Sequence, residues 1–254
     1  MTIKTLAQHD GNPMTTKKLT GKIAADRIRL LEVPRPETDL IEGFRSLGDA
    51  SGILSDIMDE LGITGVAPAT RFAPTIKGAR MVGPALTVRN IALRQHPYEA
   101  ARAKVNKMAE FEAHNLALPG DVVVIDGVAG VSNMGGISAQ TGKRQGEVGA
   151  IVSGGIRDLA HSRSVDYPVW ATEVTPVTGK WRIETVEING DINIDGIRVS
   201  SGDIVLADET GVCFVPRERA REVLELALKK HAAEERKCRL IDDGMPVADL
   251  PSNA

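Results

Sequence analysis

Two short apolar runs, each bounded by glycine, constrain this chain most. Pro119-Gly120-Asp121 leads into Val122-Val123-Val124-Ile125, and Ala150-Ile151-Val152 stands just before Gly154-Gly155. Neither run alternates with polar residues, so neither has a face to offer solvent. Such runs fit strands covered on both sides, as in parallel sheets flanked by other layers. Val169-Trp170-Ala171 reads as a third. Between the first two, Ile137 to Gln145 has the character of a helix that ends near Gly146. Strands alternating with helices imply a mixed α/β architecture.

The flanking regions complete that outline. Residues 1–37 form an N-terminal extension, and 1–20, polar, aperiodic and carrying Gly11-Asn12-Pro13, are expected to be loose. Residues 38–62 read as helical, with Ile53, Leu54, Ile57, Met58 and Leu61 at helical spacing and Gly62 as C-terminal cap. Pro68 and Pro74 mark a loop. Arg80 to Ile91 reads as a strand broken at Gly83-Pro84, and Tyr98 to Leu118 as a helix. Residues 181–215 look like successive β segments, with turns at Asn189-Gly190, Asp195-Gly196 and Ser201-Gly202-Asp203. Gly202-Asp203-Ile204-Val205-Leu206-Ala207-Asp208 echoes Gly120 to Asp126, a repeated turn-then-buried-strand pattern. Pro216 then opens a long charged helix from Arg217 to about Arg239. With no linker in between, 38–215 is expected to be one domain, and 216–254 a protruding helix and tail.

Composition excludes several function classes. Aromatics are only 3% of 254 residues, so the core must be aliphatic. A formal charge of −3, with basic residues scattered among acids, makes no case for nucleic acid. No apolar run approaches the roughly 20 residues that cross a bilayer. Two cysteines, Cys213 and Cys238, cannot build a disulfide framework, and no secretory leader is recognisable. The expectation is a cytoplasmic protein with both thiols reduced.

The stretch from Asn133 to Asp158 carries the chemistry. Gly135-Gly136-Ile137-Ser138 stands at a helix start, where free N–H groups and the helix dipole suit a carboxylate or phosphate. Gly154-Gly155-Ile156-Arg157-Asp158 stands just past a strand, the usual place for ligands in α/β folds. Arg157 has the donor fork for a carboxylate, and Asp158 is a candidate ligand for a hard cation. The alternative is structural: Asp158 caps a short helix and Arg157 is surface. The five histidines make no zinc-ligand spacing, and there is no G-x-S-x-G elbow, P-loop or dinucleotide fingerprint. No lysine lies inside a buried strand as a Schiff-base nucleophile would.

Gly120 to Gly127, the Gly135-Gly136 loop, Gly155-Ile156-Arg157-Asp158, and Gly202-Asp203 through Ala207-Asp208-Glu209-Thr210-Gly211-Val212 together resemble one family. It is that of the 4-hydroxy-4-methyl-2-oxoglutarate aldolases and the regulator of ribonuclease activity A. The likeness spans about residues 40–245, with twenty residues between Gly136 and Arg157. It implies a β/β/α fold like the swivelling phosphohistidine domain, with a long C-terminal helix, assembled as a homotrimer or hexamer with sites at subunit interfaces. It further implies that Arg157 binds substrate, that Asp158 holds Mg²⁺ or Mn²⁺, and that Gly135, Gly136, Ile137 and Ser138 supply backbone contacts to a 2-oxo acid. An acid/base glutamate from the neighbouring subunit's C-terminal helix falls on Glu234, with Glu235 beside it; the alternative for both is a solvated helix face. Some aldolases carry an acid beside the loop glycine, where this chain has Ile137 after Gly136.

The implied activity is a metal-dependent lyase that cleaves 4-hydroxy-2-oxo acids to pyruvate and decarboxylates oxaloacetate. The rival is a non-catalytic protein that binds and inhibits a ribonuclease. A methyltransferase, the older name in this family, would need a glycine-rich cofactor loop that the chain lacks.

Overall fold

In the computed structural model, which describes residues 17–252, Val122, Val123, Val124 and Ile125 are all completely buried. Their alternating side chains enter two different cores. Val123 and Ile125 join a cluster with Ala113, Leu116 and Ala139, whereas Val122 and Val124 pack with Trp170, Phe214 and Ile194.

In chain order the elements are α1 (Thr38–Ser46), α2 (Ser51–Glu60), β1 (Val66–Pro68), β2 (Ala73–Pro74), β3 (Met81–Ala92), α3 (Pro97–Arg102), α4 (Glu110–Leu116), β4 (Val122–Asp126), β5 (Ser132–Met134) and α5 (Gly136–Gln145). There follow β6 (Gly149–Ile156), α6 (Leu159–Ser164), β7 (Val169–Val174), β8 (Ile183–Ile188), β9 (Ile192–Ile194), β10 (Ile197–Val199), β11 (Ile204–Ala207), β12 (Gly211–Val215) and α7 (Ala220–Asp242). The main sheet runs β1-β12-β11-β3-β4-β6-β7-β2, with β5 on β6 and β8 on β3, and β9-β10 form a separate hairpin. The centre, β3-β4-β6-β7, is parallel, and β11, β12 and β1 extend it antiparallel. The helix α7 packs on α1 and α2 over a third core containing Phe44, Leu54, Met58, Val215 and Leu224. The result is a single mixed α/β domain with a long C-terminal helix. Among the described residues no helix is long and apolar enough to cross a membrane.

Several elements differ from the sequence expectation. Residues 38–62 hold two helices, broken where Gly48 takes a positive φ, although Gly62 does end the second in that conformation. Tyr98 to Leu118 likewise divides into α3 and α4. Pro68 and Pro74 close two short edge strands, not a loop. The strand β3 is unbroken at Gly83-Pro84. Gly83 is there for close approach, since a Cβ would lie 2.1 Å from the Gly120 carbonyl oxygen. Pro84, with no N–H to donate, sits where β3 changes partner: residues 81–84 pair with β11 and residues 85–89 with β4.

The described part of the N-terminal extension is tied down. Lys17 Nζ donates to the Ala117 carbonyl at 2.6 Å, Thr20 N–H donates to Glu112 at 2.8 Å, Val33 is buried, and Arg35 pairs with Asp121. These anchors are single side chains without period, so an aperiodic reading could not show them. Gly11-Asn12-Pro13 and the expected looseness of 1–16 lie outside the described residues.

The echo between 120–126 and 202–208 is a shared local device. Gly120 and Gly202 both have positive φ, and each following aspartate turns back to accept a backbone N–H three residues earlier, Leu118 for Asp121 and Ser200 for Asp203, each at 2.8 Å. Burial pushes both carboxyls above the usual range. The two strands so launched, β4 and β11, flank β3.

Cys213 on β12 is buried against α2, and desolvation pushes its thiol up to about 12, whereas Cys238 on α7 is exposed. A thiolate is the reactive form. Ellman's reagent should therefore modify at most one thiol per folded chain, at Cys238, and both in guanidinium chloride; two fast native equivalents would contradict the buried β12.

Candidate active site

Both halves of the candidate site sit at strand C-termini. β5 ends at Met134 and hands over through Gly135 to α5, while β6 ends at Ile156 and hands over through Arg157 and Asp158 to α6. Arg157 N–H donates to the Met134 carbonyl at 3.1 Å, which locks the two exits side by side.

Asp158 adopts φ 57°, ψ 42°, a left-handed conformation uncommon for a residue with a Cβ. Its backbone carbonyl starts α6, accepting from His161 N–H at 2.9 Å. Its side chain makes no capping bond to that helix. The carboxylate turns across the turn instead: Oδ2 accepts the Gly136 N–H at 3.1 Å and lies 3.4 Å from Arg157 Nε. The left-handed turn therefore aims the side chain at the start of α5. Asp158 thus does not cap α6 with its side chain; its carboxylate accepts the first N–H of α5 instead. The pair is also accessible, with side-chain exposures of 32% for Arg157 and 50% for Asp158.

The two loop glycines are required by proximity. A Cβ on Gly135 would stand 2.9 Å from Asp158 Oδ2 and 3.3 Å from Arg157 Nε; one on Gly136 would stand 2.7 Å from the His161 Cβ. Ile137 projects outward at 69% exposure. Ser138 does not: it is buried, and its hydroxyl bonds His114 Nε2 at 2.7 Å. Its side chain is therefore committed to the interior.

Glu234 and Glu235 are elsewhere on this chain. They line a cavity of about 710 Å³ between α2 and α7, together with Asp49, Asp56, His231 and Cys238; neither Arg157 nor Asp158 borders it. His231 Nε2 lies 3.7 Å from Glu235.

Sequence reasoning placed Asn133 at the start of the chemical stretch without its role, and missed His161. Asn133, fully buried, binds the 127–133 loop into one piece: its amide donates to the carbonyls of Val128 (2.9 Å) and Val131 (3.0 Å), and its oxygen accepts the Val128 N–H (2.9 Å). A polar amide two residues before a glycine pair was the available signal. His161 packs against Gly136 and bonds Gln140 at 2.9 Å, and nothing in its spacing announced that.

Among the described residues no group of three or more His, Cys, Asp or Glu side chains assembles. One half-exposed carboxylate suits Mg²⁺ or Mn²⁺, hard cations that keep several water ligands, and not zinc, which wants three or four protein ligands. The donor chemistry of Asp158 thus fits the implied metal.

Comparison with known proteins identifies the family. Residues 52–214 match the family described as RraA-like, Aldolase/RraA. The match covers more than half of the chain, which belongs to that family. Protein DlpA of Legionella pneumophila is 28% identical over 80% of this chain, and the chain spans only 33% of that protein's length. A protein of Halalkalibacterium halodurans named "Putative 4-hydroxy-4-methyl-2-oxoglutarate aldolase" is 29% identical over 82% of this chain and 91% of its own. Among solved structures, Streptomyces coelicolor RraAS2, described as an unusual member of the RNase ES inhibitor RraA protein family, aligns with TM-score 0.65 and 25% identity, covering 80% of this chain and 97% of that one. The fold expected from the resemblance is thus the fold observed.

Because a methyl at Gly135 would meet Asp158 and Arg157 directly, Gly135→Ala should leave the far-UV circular dichroism unchanged. Titration calorimetry should show affinity for a small 2-oxo acid anion falling about tenfold or more, as loss of one charge-assisted bond would cause. Unchanged affinity would remove this loop from the site.

Proposed function

We propose that the chain is a divalent-metal-dependent lyase that cleaves 4-hydroxy-2-oxo acids by a retro-aldol reaction, releasing pyruvate, and that it also decarboxylates oxaloacetate. The observation that carries this reading is the meeting, at two adjacent strand exits, of a half-exposed Asp158 carboxylate, the Arg157 guanidinium and the Gly135-Gly136 loop, with the Asp158 side chain turned toward α5 and away from α6.

In this reading Arg157 grips the substrate carboxylate through its guanidinium fork. The backbone of Gly135, Gly136, Ile137 and Ser138 lies against the 2-oxo acid, the glycines allowing close contact. Asp158 holds Mg²⁺ or Mn²⁺, and a cation bound there would act as a Lewis acid toward the 2-oxo carbonyl. Retro-aldol cleavage also needs a base at the C4 hydroxyl. Glu234 of a neighbouring copy takes that proton, which requires a homotrimer or hexamer that brings α7 of one chain to the site of the next. Loss of CO₂ from oxaloacetate releases no hydroxyl proton and does without this residue. Such an enzyme would work in the cytoplasm on small 2-oxo acids, without nucleic acid or membrane.

The two reactions separate the roles. Asp158→Ala should abolish metal-dependent pyruvate release from both substrate classes while circular dichroism stays native. Glu234→Gln should slow aldol cleavage by about 10²–10⁴-fold, the usual contribution of a general base, and spare oxaloacetate decarboxylation. Full activity of Asp158→Ala, or of wild type in EDTA, would overturn the proposal; if Glu235→Gln shows the loss instead, the base is Glu235.

A second reading draws on the likeness to RraAS2: a non-catalytic chain that binds and inhibits a ribonuclease. Pull-down of an RNase E-type endoribonuclease, in a preparation that releases no pyruvate from any 4-hydroxy-2-oxo acid or oxaloacetate, would favour it.

A further inference from the structure

A chain of buried polar side chains lies beneath α5; of its members only Ser138 also belongs, by its backbone, to the substrate contacts proposed above. Tyr167 O–H donates to Glu147 Oε2 at 2.6 Å, Glu147 Oε1 is 2.8 Å from His114 Nδ1, and His114 Nε2 is 2.7 Å from Ser138 Oγ. All four are buried, Tyr167 and His114 with no exposure. The Tyr167 hydroxyl keeps its proton, because burial and the adjacent carboxyl push it well above its ordinary range. Donation then runs one way: Glu147 accepts from both sides, Nδ1 donates, and in a neutral ring Nε2 accepts from the Ser138 hydroxyl.

The network joins four elements through buried side chains, adding to the bonds Gln145 and Lys143 of α5 make to the His114 and Asp166 carbonyls. His114 comes from α4, Ser138 from the first turn of α5, Glu147 from the turn before β6, and Tyr167 from just ahead of β7. It runs hard against α5, since a Cβ on Gly142 would be 2.3 Å from Glu147 Oε2. The start of α5 needs such a hold. Its N-cap is Gly135, which has no side chain to offer, and the Gly136 N–H is committed to Asp158. Ser138, two residues on, is the nearest side chain by which that turn is fixed from below.

We propose that Tyr167, Glu147, His114 and Ser138 are positioning residues: they hold the first turn of α5 so that the Gly136 N–H and the Asp158 carboxylate stay in register. This rests on Asp158 being a functional group, as read above. The order serine, histidine, carboxyl is also that of a nucleophilic triad, but a serine closed off from solvent on a fully buried histidine has no approach for a substrate.

Two readouts test it on the full chain. In Ser138→Ala, hydrogen exchange of the peptide carrying Gly136 should rise about fivefold or more, the shift expected from one net hydrogen bond, while peptides from β4 and β6 keep their protection. The kcat for pyruvate release should fall about 10- to 100-fold, as for supporting residues around a metal ligand, with KM little changed. Ser138→Thr, which keeps the hydroxyl, should restore both. Tyr167→Phe, at the far end, should give a smaller change in the same direction and serves if Ser138→Ala does not fold. Unchanged exchange and kcat in both variants, or exchange rising equally in β4, would overturn the proposal, as would labelling of Ser138 by a fluorophosphonate. If wild type releases no pyruvate but Gly136 exchange responds as stated, the positioning stands and the lyase reading fails.

Discussion

A strand without a solvent face must be covered twice, and β4 sets that condition for the whole molecule. Val123 and Ile125 are covered by the layer that contains α4 and α5; Val122 and Val124 are covered by the β9-β10 hairpin and the inner face of β11 and β12. Each of these side chains, fully buried, is worth about 1.5–3 kcal/mol, and none of that is realised unless both layers are present. The helical layer begins at the C-terminal ends of β5 and β6, so the same requirement that covers β4 brings Gly135 and Asp158 together.

At that junction, backbone strain and close approach do complementary work. Asp158 takes a left-handed conformation that a β-carbon disfavours, and its carboxylate is thereby turned from its own helix toward the next one. Gly135 and Gly136 make room, since any side chain there would strike Asp158, Arg157 or His161. Strained residues persist where surrounding structure over-determines them. Here the surrounding structure includes the backbone bond between Arg157 and Met134 and the buried bonds beneath α5.

Much of the fold was legible from local pattern. Unbroken apolar runs marked β4 and β6, Gly146 marked the end of α5 with its left-handed φ, and Pro216 preceded the short 3-10 turn that leads into α7. What failed were boundaries that depend on partners. Gly83-Pro84 looked like a break because both residues weaken strands, yet β3 continues through them with a new neighbour on each side. The helices at 38–62 and 98–118 each divide in two, with Gly48 and Lys104 at positive φ in the breaks, and periodicity within a window does not register that.

For the site, the residue types at the exits of β5 and β6 were determined by the sequence: two glycines at one, an Arg-Asp pair at the other. Their meaning was not. A lone aspartate before a helix is as good a cap as it is a ligand, and only the left-handed turn, visible in three dimensions, shows that its carboxylate reaches α5 and not α6. His114 and Glu147, thirty-three residues apart, carry no shared motif, and their pairing exists only because α4 lies across α5. Patterns of period two or near four reside in the chain itself, whereas contacts between distant polar side chains are created by packing and can be read only there.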